Sequence, residues 1–308
     1  MTTETTCLTS IWETDNKVAE YYDMHGRKAD FKQLNTGDIA YYDGCIYVDL
    51  STIKPMIAMP FHPSNVYEIA ELNNNLDDIL NTVEMTANMQ IAGKSSPLSL
   101  RDKVKDGFLQ VEQGIIAGCA GGTFDNICDA ADILNGKFIG SDEFALAVYP
   151  SSQPTYLNLV ETGAIAKLMA TGATIKTAFC GPCFGAGDVP SNNGLSIRHS
   201  TRNFPNREGS KPGDKQIASV ALMDARSIAA TAANKGRLIP ATDIDVNFTK
   251  PKYFFNQDIY KNRCYNGYNK PDENAQLKFG PNITDWPKMS NLSTNMLLKV
   301  SAFINDPV

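Results

Sequence analysis

Between residues 111 and 240 the apolar positions switch between two periods, short continuous runs and stretches spaced by three and four. The run at 114–117 predicts a strand. After Gly121 and Gly122, the positions Phe124, Ile127, Cys128, Ala131 and Leu134 recur at helical spacing and predict a helix over 123–135, ended by Gly136. Residues 144–149 read as the next strand, followed by Ser151-Ser152-Gln153 as a helix cap and Pro154 at a first helical position. Further strands are expected at 173–178 and 195–199. An Ala-rich helix is expected over 216–234, with Ile217, Val220, Ala221 and Ile228 on one side and Gly236 beyond its end. Strands alternating with helices imply βαβ units, so the fold class is α/β: three-layer α/β/α with a mostly parallel sheet.

The flanks are less regular. Thr14-Asp15 can cap a short helix over 17–22, 45–50 reads as a strand, and 56–60 as another, closed by the turn residues Phe61-His62-Pro63-Ser64-Asn65. After about 245 the pattern gives way to aromatic and Asn/Pro-rich sequence (Tyr253, Phe254, Phe255, Tyr265, Tyr268, Trp286), expected as an extended segment. The expected organisation is therefore one domain over 1–245 and an extended C-terminal segment over 246–308, whose end at Asn305-Asp306-Pro307-Val308 is an odd place for a domain to stop.

With 308 residues, 43 % of them hydrophobic, the chain can bury one large core or two smaller ones. Its net charge of −6 and the lack of a Lys/Arg-rich block give no electrostatic footprint for nucleic acid or an anionic membrane, so neither is expected as a partner. No apolar run approaches the roughly 18 residues of a membrane span, and Met1 to Thr6 has no signal-peptide character, which reads as a cytoplasmic protein. Seven cysteines, an odd number spread over a long chain, argue for reduced thiols or metal ligands rather than a disulfide framework.

Three of those thiols carry the candidate chemistry. Cys119 follows the strand at 114–117, Cys180 and Cys183 follow the strand at 173–178, and Arg202 and Arg207 follow the strand at 195–199. All should emerge at the carboxyl ends of strands, where open α/β sheets bind ligands. Three thiolates can hold an iron–sulfur cluster and leave one iron without a protein ligand, and two guanidiniums can grip a polycarboxylate by bidentate pairs. The same residues admit other readings. Cys180-Gly181-Pro182-Cys183 matches a thioredoxin-type redox motif, although the glycines and proline of 184–190 oppose a long helix there. A structural zinc would need a fourth ligand, Cys128 or a histidine, and three buried cysteines with no metal form the plainest case. His62, in a turn, and His199, inside a strand, are proton carriers by residue type and structural by position.

Cys180-Gly181-Pro182-Cys183-Phe184-Gly185 and Ser200-Thr201-Arg202-Asn203-Phe204-Pro205-Asn206-Arg207, with Cys119 some sixty residues upstream, resemble the third domain of the aconitase family. Asp49-Leu50-Ser51-Thr52-Ile53-Lys54-Pro55-Met56-Ile57-Ala58 and the stretch 217–239 extend the likeness to about residues 10–245, and 280–287 resembles a divergent subgroup of bacterial hydratases. The resemblance implies that Cys119, Cys180 and Cys183 ligate three irons of a [4Fe-4S] cluster. Arg202 and Arg207, with Ser200 and Thr201, would contact a hydroxy-polycarboxylic acid that the enzyme dehydrates and rehydrates. Two departures bear on the substrate: Thr201 stands where many members have Asn, and Ala120-Gly121-Gly122 replaces the usual Thr-Asn after the first cysteine. The family's acid–base residues of other domains have no counterpart here. The expectation is therefore a fragment or one part of a split enzyme, inactive alone and completed by the missing aconitase-type domains in cis or trans. The alternative is a non-enzymatic iron–sulfur or zinc binding module. No catalytic acid–base residue is assigned in this chain, and a cluster left uncovered is expected to be lost in air.

Overall fold

A computed structural model describes residues 7–140, 144–211, 215–272, 274 and 281. The strands β5 (Gln113–Ala117) and β6 (Ala145–Tyr149) form where short apolar runs predict them, β8 (Leu195–His199) forms where a strand is expected at 195–199, and α5 (Phe124–Leu134) forms at the helical spacing. Ahead of them come α1 (Asn16–Met24), β1 (Met56–Ala58), β2 (Val66–Glu68), α2 (Ile69–Asn74), α3 (Leu76–Ile91) and the β3 (Val104–Lys105) and β4 (Phe108–Leu109) hairpin. Between and after them lie α4 (Gly118–Gly121), α6 (Gln153–Glu161), α7 (Ala164–Ala170), β7 (Thr174–Ile175), β9 (Ser219–Met223), α8 (Ala225–Ala233) and α9 (Asp258–Arg263). Capping follows the sequence. Asp15 accepts from the Val18 N–H at 3.1 Å to start α1, and Ser152 accepts from the Thr155 N–H at 3.3 Å to start α6.

The main sheet has seven strands in the order β2-β1-β9-β8-β5-β6-β7. From β9 to β7 every pairing is parallel, while β1 runs antiparallel to both β9 and β2. This is the mostly parallel sheet of the expected α/β/α class. The register puts Gly114, Ile116, Leu146, Val148, Ile197 and His199 on one face and Ile115, Ala117, Ala147, Tyr149, Ser196 and Arg198 on the other. On the first face, Ile116, Val148 and Ile197 join Ile127, Ile133 and Leu134 of α5 and Ile228 of α8 in the larger core. On the second, Ile115, Ala117, Ala147 and Tyr149 form a small core together with Cys183. One strand face thus leads directly to a candidate ligand.

Three expectations need correction, and one helix forms where none was expected. The helix expected over 216–234 is two elements: Ser219–Met223 pairs between β8 and β1, and only 225–233 is helical. An apolar run buried on both sides does not separate strand from helix by period, and the break at Asp224 carries the information. Its side chain accepts from the Ser227 N–H at 3.0 Å as the α8 N-cap. Asp224→Ala is expected to lower stability by about 1 kcal/mol in urea denaturation. The strand expected at 45–50 does not form. Residues 45–49 are irregular and exposed, and among the described residues no strand of either sheet pairs with them. The strand expected at 173–178 shrinks to Thr174–Ile175. Finally, α3 was not anticipated, although Ile79, Leu80, Val83, Ala87 and Ile91 bury one of its sides.

The chain divides into two compact units, Met1–Arg263 and Cys264–Val308. In the first, the aromatic segment after 245 packs on the body: Tyr253 meets Phe124 at 5.3 Å between ring centroids, and Phe255 meets His25 at 4.2 Å. In the second, the Lys270 N–H donates to the Gly267 carbonyl. The stretch 280–287 lies outside the described residues apart from Pro281. Among the described residues no helix is long and apolar enough to cross a membrane.

Candidate functional site

The carboxyl end of β5 turns at once into α4, which carries Cys119. Gly118 makes the turn possible. Its φ is +62°, and a Cβ there would lie 3.6 Å from the Cys183 sulfur, so the backbone ahead of Cys119 passes close to the second cysteine segment. Cys180 precedes a 3-10 turn over Gly181–Phe184, within which the Cys183 N–H donates to the Cys180 carbonyl at 3.1 Å. No long helix starts there, as the glycines and proline predict. Cys119 and Cys180 are exposed, whereas Cys183 is buried.

Cys183 lies within reach of both other thiols. Burial pushes the Cys183 thiol up to about 11, and its hydrogen bond with Cys180 and the nearby Cys180 and Cys119 sulfurs push the same way, opposed by the Arg198 guanidinium. Cys128 belongs elsewhere. It is buried on α5, and burial with the neighbouring Asp125, Asp132 and Asp129 raises it to about 12, which suits a core residue and not a fourth zinc ligand. Among the described residues no three His, Cys, Asp or Glu side chains close around a single ion position.

The arginine loop meets the thiol loop through backbone. Gly185 and Gly209 pass so closely that a Cβ on Gly185 would lie 2.8 Å from the Gly209 backbone and 3.4 Å from the Arg207 carbonyl. Asn203, fully buried, anchors the other end of the arginine loop by donating to the Ala58, Met59 and His62 carbonyls at 3.1, 2.8 and 3.3 Å. Ser200, Thr201, Arg202 and Arg207 are all half-buried. Arg207 Nε and Asn206 Oδ1 are buried without a hydrogen-bond partner, polar groups left unmatched beside the thiol loop. Ser200 and His199 face a separate cavity of about 910 Å³ at the ends of β1 and β9, whose lining includes Lys54, Asp224 and Arg226 but none of the three thiols.

The histidines are placed by structure. The exposed His62 holds its turn through Nδ1 and the Ser64 hydroxyl at 2.7 Å. Burial lowers His199, with Asp224 opposing, and its Nδ1 has no partner. Residue-level reading missed Arg198. It is 1 % exposed, donates to the Pro182 and Asp188 carbonyls of the thiol loop at 2.5 and 3.0 Å, and is lowered by burial to about 10, which leaves it charged at neutral pH. Asp188 also accepts from the Tyr149 hydroxyl. The available signal was a charged residue inside the run Leu195-Ser196-Ile197-Arg198-His199, whose alternation reads as a solvent side when nothing shows that a loop covers it.

A family model described as Aconitase family (aconitate hydratase) matches residues 1–230. The 3-isopropylmalate dehydratase large subunit of Clostridioides difficile is 24 % identical over 243 residues, covering 78 % of this chain and 49 % of the relative. The corresponding subunit of Clostridium botulinum (strain Alaska E43 / Type E3) is 26 % identical over 219 residues, covering 71 % and 44 %. Large subunit 2 of Rubrobacter xylanophilus is 26 % identical over 245 residues, covering 79 % and 48 %. The chain spans about half the length of the curated relatives it matches.

Proposed function

The chain belongs to the aconitase family, and from that premise we propose that it is the cluster-bearing part of a [4Fe-4S]-dependent hydro-lyase acting on a hydroxy-polycarboxylic acid. The observation that carries the reading is the juxtaposition at the carboxyl end of the sheet of the Cys119 turn and the Cys180–Cys183 turn, where a Cβ on Gly118 would lie 3.6 Å from the Cys183 sulfur. The donor set fits the group. Each thiolate of a cluster meets its own iron, so the sulfurs need not surround one ion position as the ligands of a single zinc must. Binding requires three thiolates, so loading releases protons, including that of the buried Cys183, whose thiol burial holds high.

When bound, the cluster supplies a Lewis-acidic iron to a substrate hydroxyl and carboxylate. The chain's own part is to grip the anion. Arg202 and Arg207 offer guanidiniums for bidentate pairing with carboxylates, and the unmatched Arg207 Nε is a donor in want of an acceptor. Thr201 stands beside Arg202 as a further hydroxyl donor, whereas Ser200, assigned to the same grip by the resemblance, lines the separate cavity. With Thr201 and Ala120-Gly121-Gly122 in place of the more usual residues, citrate is not assumed as the substrate.

Missing domains, in cis or trans, would supply the acid and base. A long apolar arm supports such a partner: Tyr41 is 93 %, Ile46 91 % and Tyr47 86 % exposed, inside the stretch that the family match covers. Anaerobic reconstitution with iron and sulfide is expected to load about four irons per chain, and Cys119→Ser to abolish retention. The loaded chain alone should not hydrate aconitate. Stoichiometric zinc taken in preference to iron would overturn the cluster reading and favour a non-enzymatic metal-binding module.

A further inference from the structure

The face of the sheet that points to the thiol loop contains a cation. Arg198 lies on β8 between Ile115 of β5 and Leu222 of β9, with 1 % of its surface exposed. Four of its five N–H groups are engaged: Nε donates to Ser196 Oγ at 2.9 Å, Nη1 to the Pro182 carbonyl at 2.5 Å, and Nη2 to the Asp188 carbonyl at 3.0 Å and Gln113 Oε1 at 3.2 Å. Ser196 in turn donates to the same Gln113 oxygen at 2.6 Å. All four acceptors are neutral oxygens. The carboxylates of Glu208 and Asp188 and the Cys183 sulfur act on Arg198 only through their charge.

A buried cation whose hydrogen bonds all go to neutral oxygens has its charge offset only through space, here by the Glu208 and Asp188 carboxylates, and removing it leaves any anion nearby facing those carboxylates alone. Two of its acceptors are main-chain carbonyls on either side of Cys183, Pro182 within its turn and Asp188 beyond it, and a planar guanidinium is shaped to bridge such a pair. We propose that Arg198 is a positioning residue of the thiol site: it clamps the loop 180–188 to β8 through the Pro182 and Asp188 carbonyls and sets a permanent positive charge near Cys183, against which an anionic thiolate-bound cluster is held. The charge half of this inference rests on the reading of the thiols as cluster ligands, and the clamp half does not.

The test pairs Arg198→Met, which removes fork and charge, with Arg198→Lys, which keeps the charge. In the metal-free full chain, hydrogen exchange read by mass spectrometry follows the loop amides, including Cys183 and Ala186, which donate to the Cys180 and Gly181 carbonyls at 3.1 and 2.9 Å. Both variants should exchange there at least about 10-fold faster than wild type, while α5 keeps its protection. In the reconstituted chain the reduction potential should move negative in Arg198→Met and stay near wild type in Arg198→Lys, because a nearby cation favours the more negative reduced cluster. Unchanged loop exchange with α5 intact overturns the clamp. Equal potentials in Arg198→Met and wild type overturn the charge. Should Arg198→Met lose α5 protection too, Arg198→Lys alone decides the clamp. A wild-type chain that takes up no iron defeats the cluster reading and with it the charge half, while the exchange result still decides the clamp.

Discussion

Gly122→Ala should cost about 3 kcal/mol, the upper end of what overpacking does, and should take iron loading with it. The reason is spatial and not conformational. A Cβ at this position would lie 2.1 Å from the Tyr149 carbonyl oxygen, 2.8 Å from the Gly118 carbonyl oxygen and 2.9 Å from the Ser151 nitrogen. All three are main-chain atoms, which cannot swing aside as a side chain can. Gly122 is also where the Cys119 turn joins the end of β6: its carbonyl accepts from the Ser151 N–H at 2.8 Å, and its own N–H donates to Gly118 at 2.9 Å. A methyl group forces that junction open and moves Cys119 relative to the 180–183 turn. Gly44→Ala, with nothing within 4 Å of the added carbon, is the control and should change stability by less than about 0.5 kcal/mol. Urea midpoints and iron content together decide the matter. A Gly122→Ala chain as stable as the control would mean that the strand ends are not joined as described.

The same junction shows why parts of the site were legible beforehand. Strands 114–117 and 144–149 announce themselves because a parallel strand buried on both faces needs a continuous apolar run, while 195–199 shows the alternation of Leu195 and Ile197 with polar residues. Each is followed by glycine, cap or loop residues, so the placement of Cys119, Cys180 and Arg202 beyond strand ends followed from order along the chain alone. The rest depended on contacts between distant segments. At 216–234 strand and helix merged into one apparent helix because Ala, Val, Leu and Met suit both, and only the β1 and β8 edges decide that 219–223 is extended. At 45–50 the opposite holds: the β-prone pattern is present, but among the described residues no strand pairs with it, although β2 and β7 stand at the edges of the sheet. Arg198 was invisible for a third reason. Alternation in a strand separates two faces without saying which is wet, and here the loop bearing Cys183 dries the face on which Ser196 and Arg198 stand.

Acid should destabilise the chain through two carboxylates far from the thiols. Glu84 on α3 accepts from the Leu100 and Arg101 N–H groups at 2.5 and 2.6 Å and from Arg101 Nε at 2.9 Å. Asp132 on α5 accepts from the Thr249 N–H at 2.7 Å, the Thr249 hydroxyl at 2.8 Å and Lys167 Nζ at 2.9 Å, tying the segment after 245 to the body. Burial by itself would raise both groups, yet these donors outweigh it and hold each below its ordinary value, 4.5 for Glu84 and 3.8 for Asp132. Groups lowered in this way bind protons more readily in the unfolded chain. Their contribution is therefore complete above the ordinary values and disappears as pH falls through the lowered ones. Urea midpoints should accordingly hold steady from neutrality to about pH 5 and then decline. Glu84→Gln and Asp132→Asn should each remove roughly 1–3 kcal/mol at pH 7, add nearly independently because the two sites share no partner, and flatten the decline in the double variant. A double variant that keeps the wild-type slope below pH 5 would show that the acid sensitivity arises elsewhere, since no proton uptake would then remain to be assigned to these two groups.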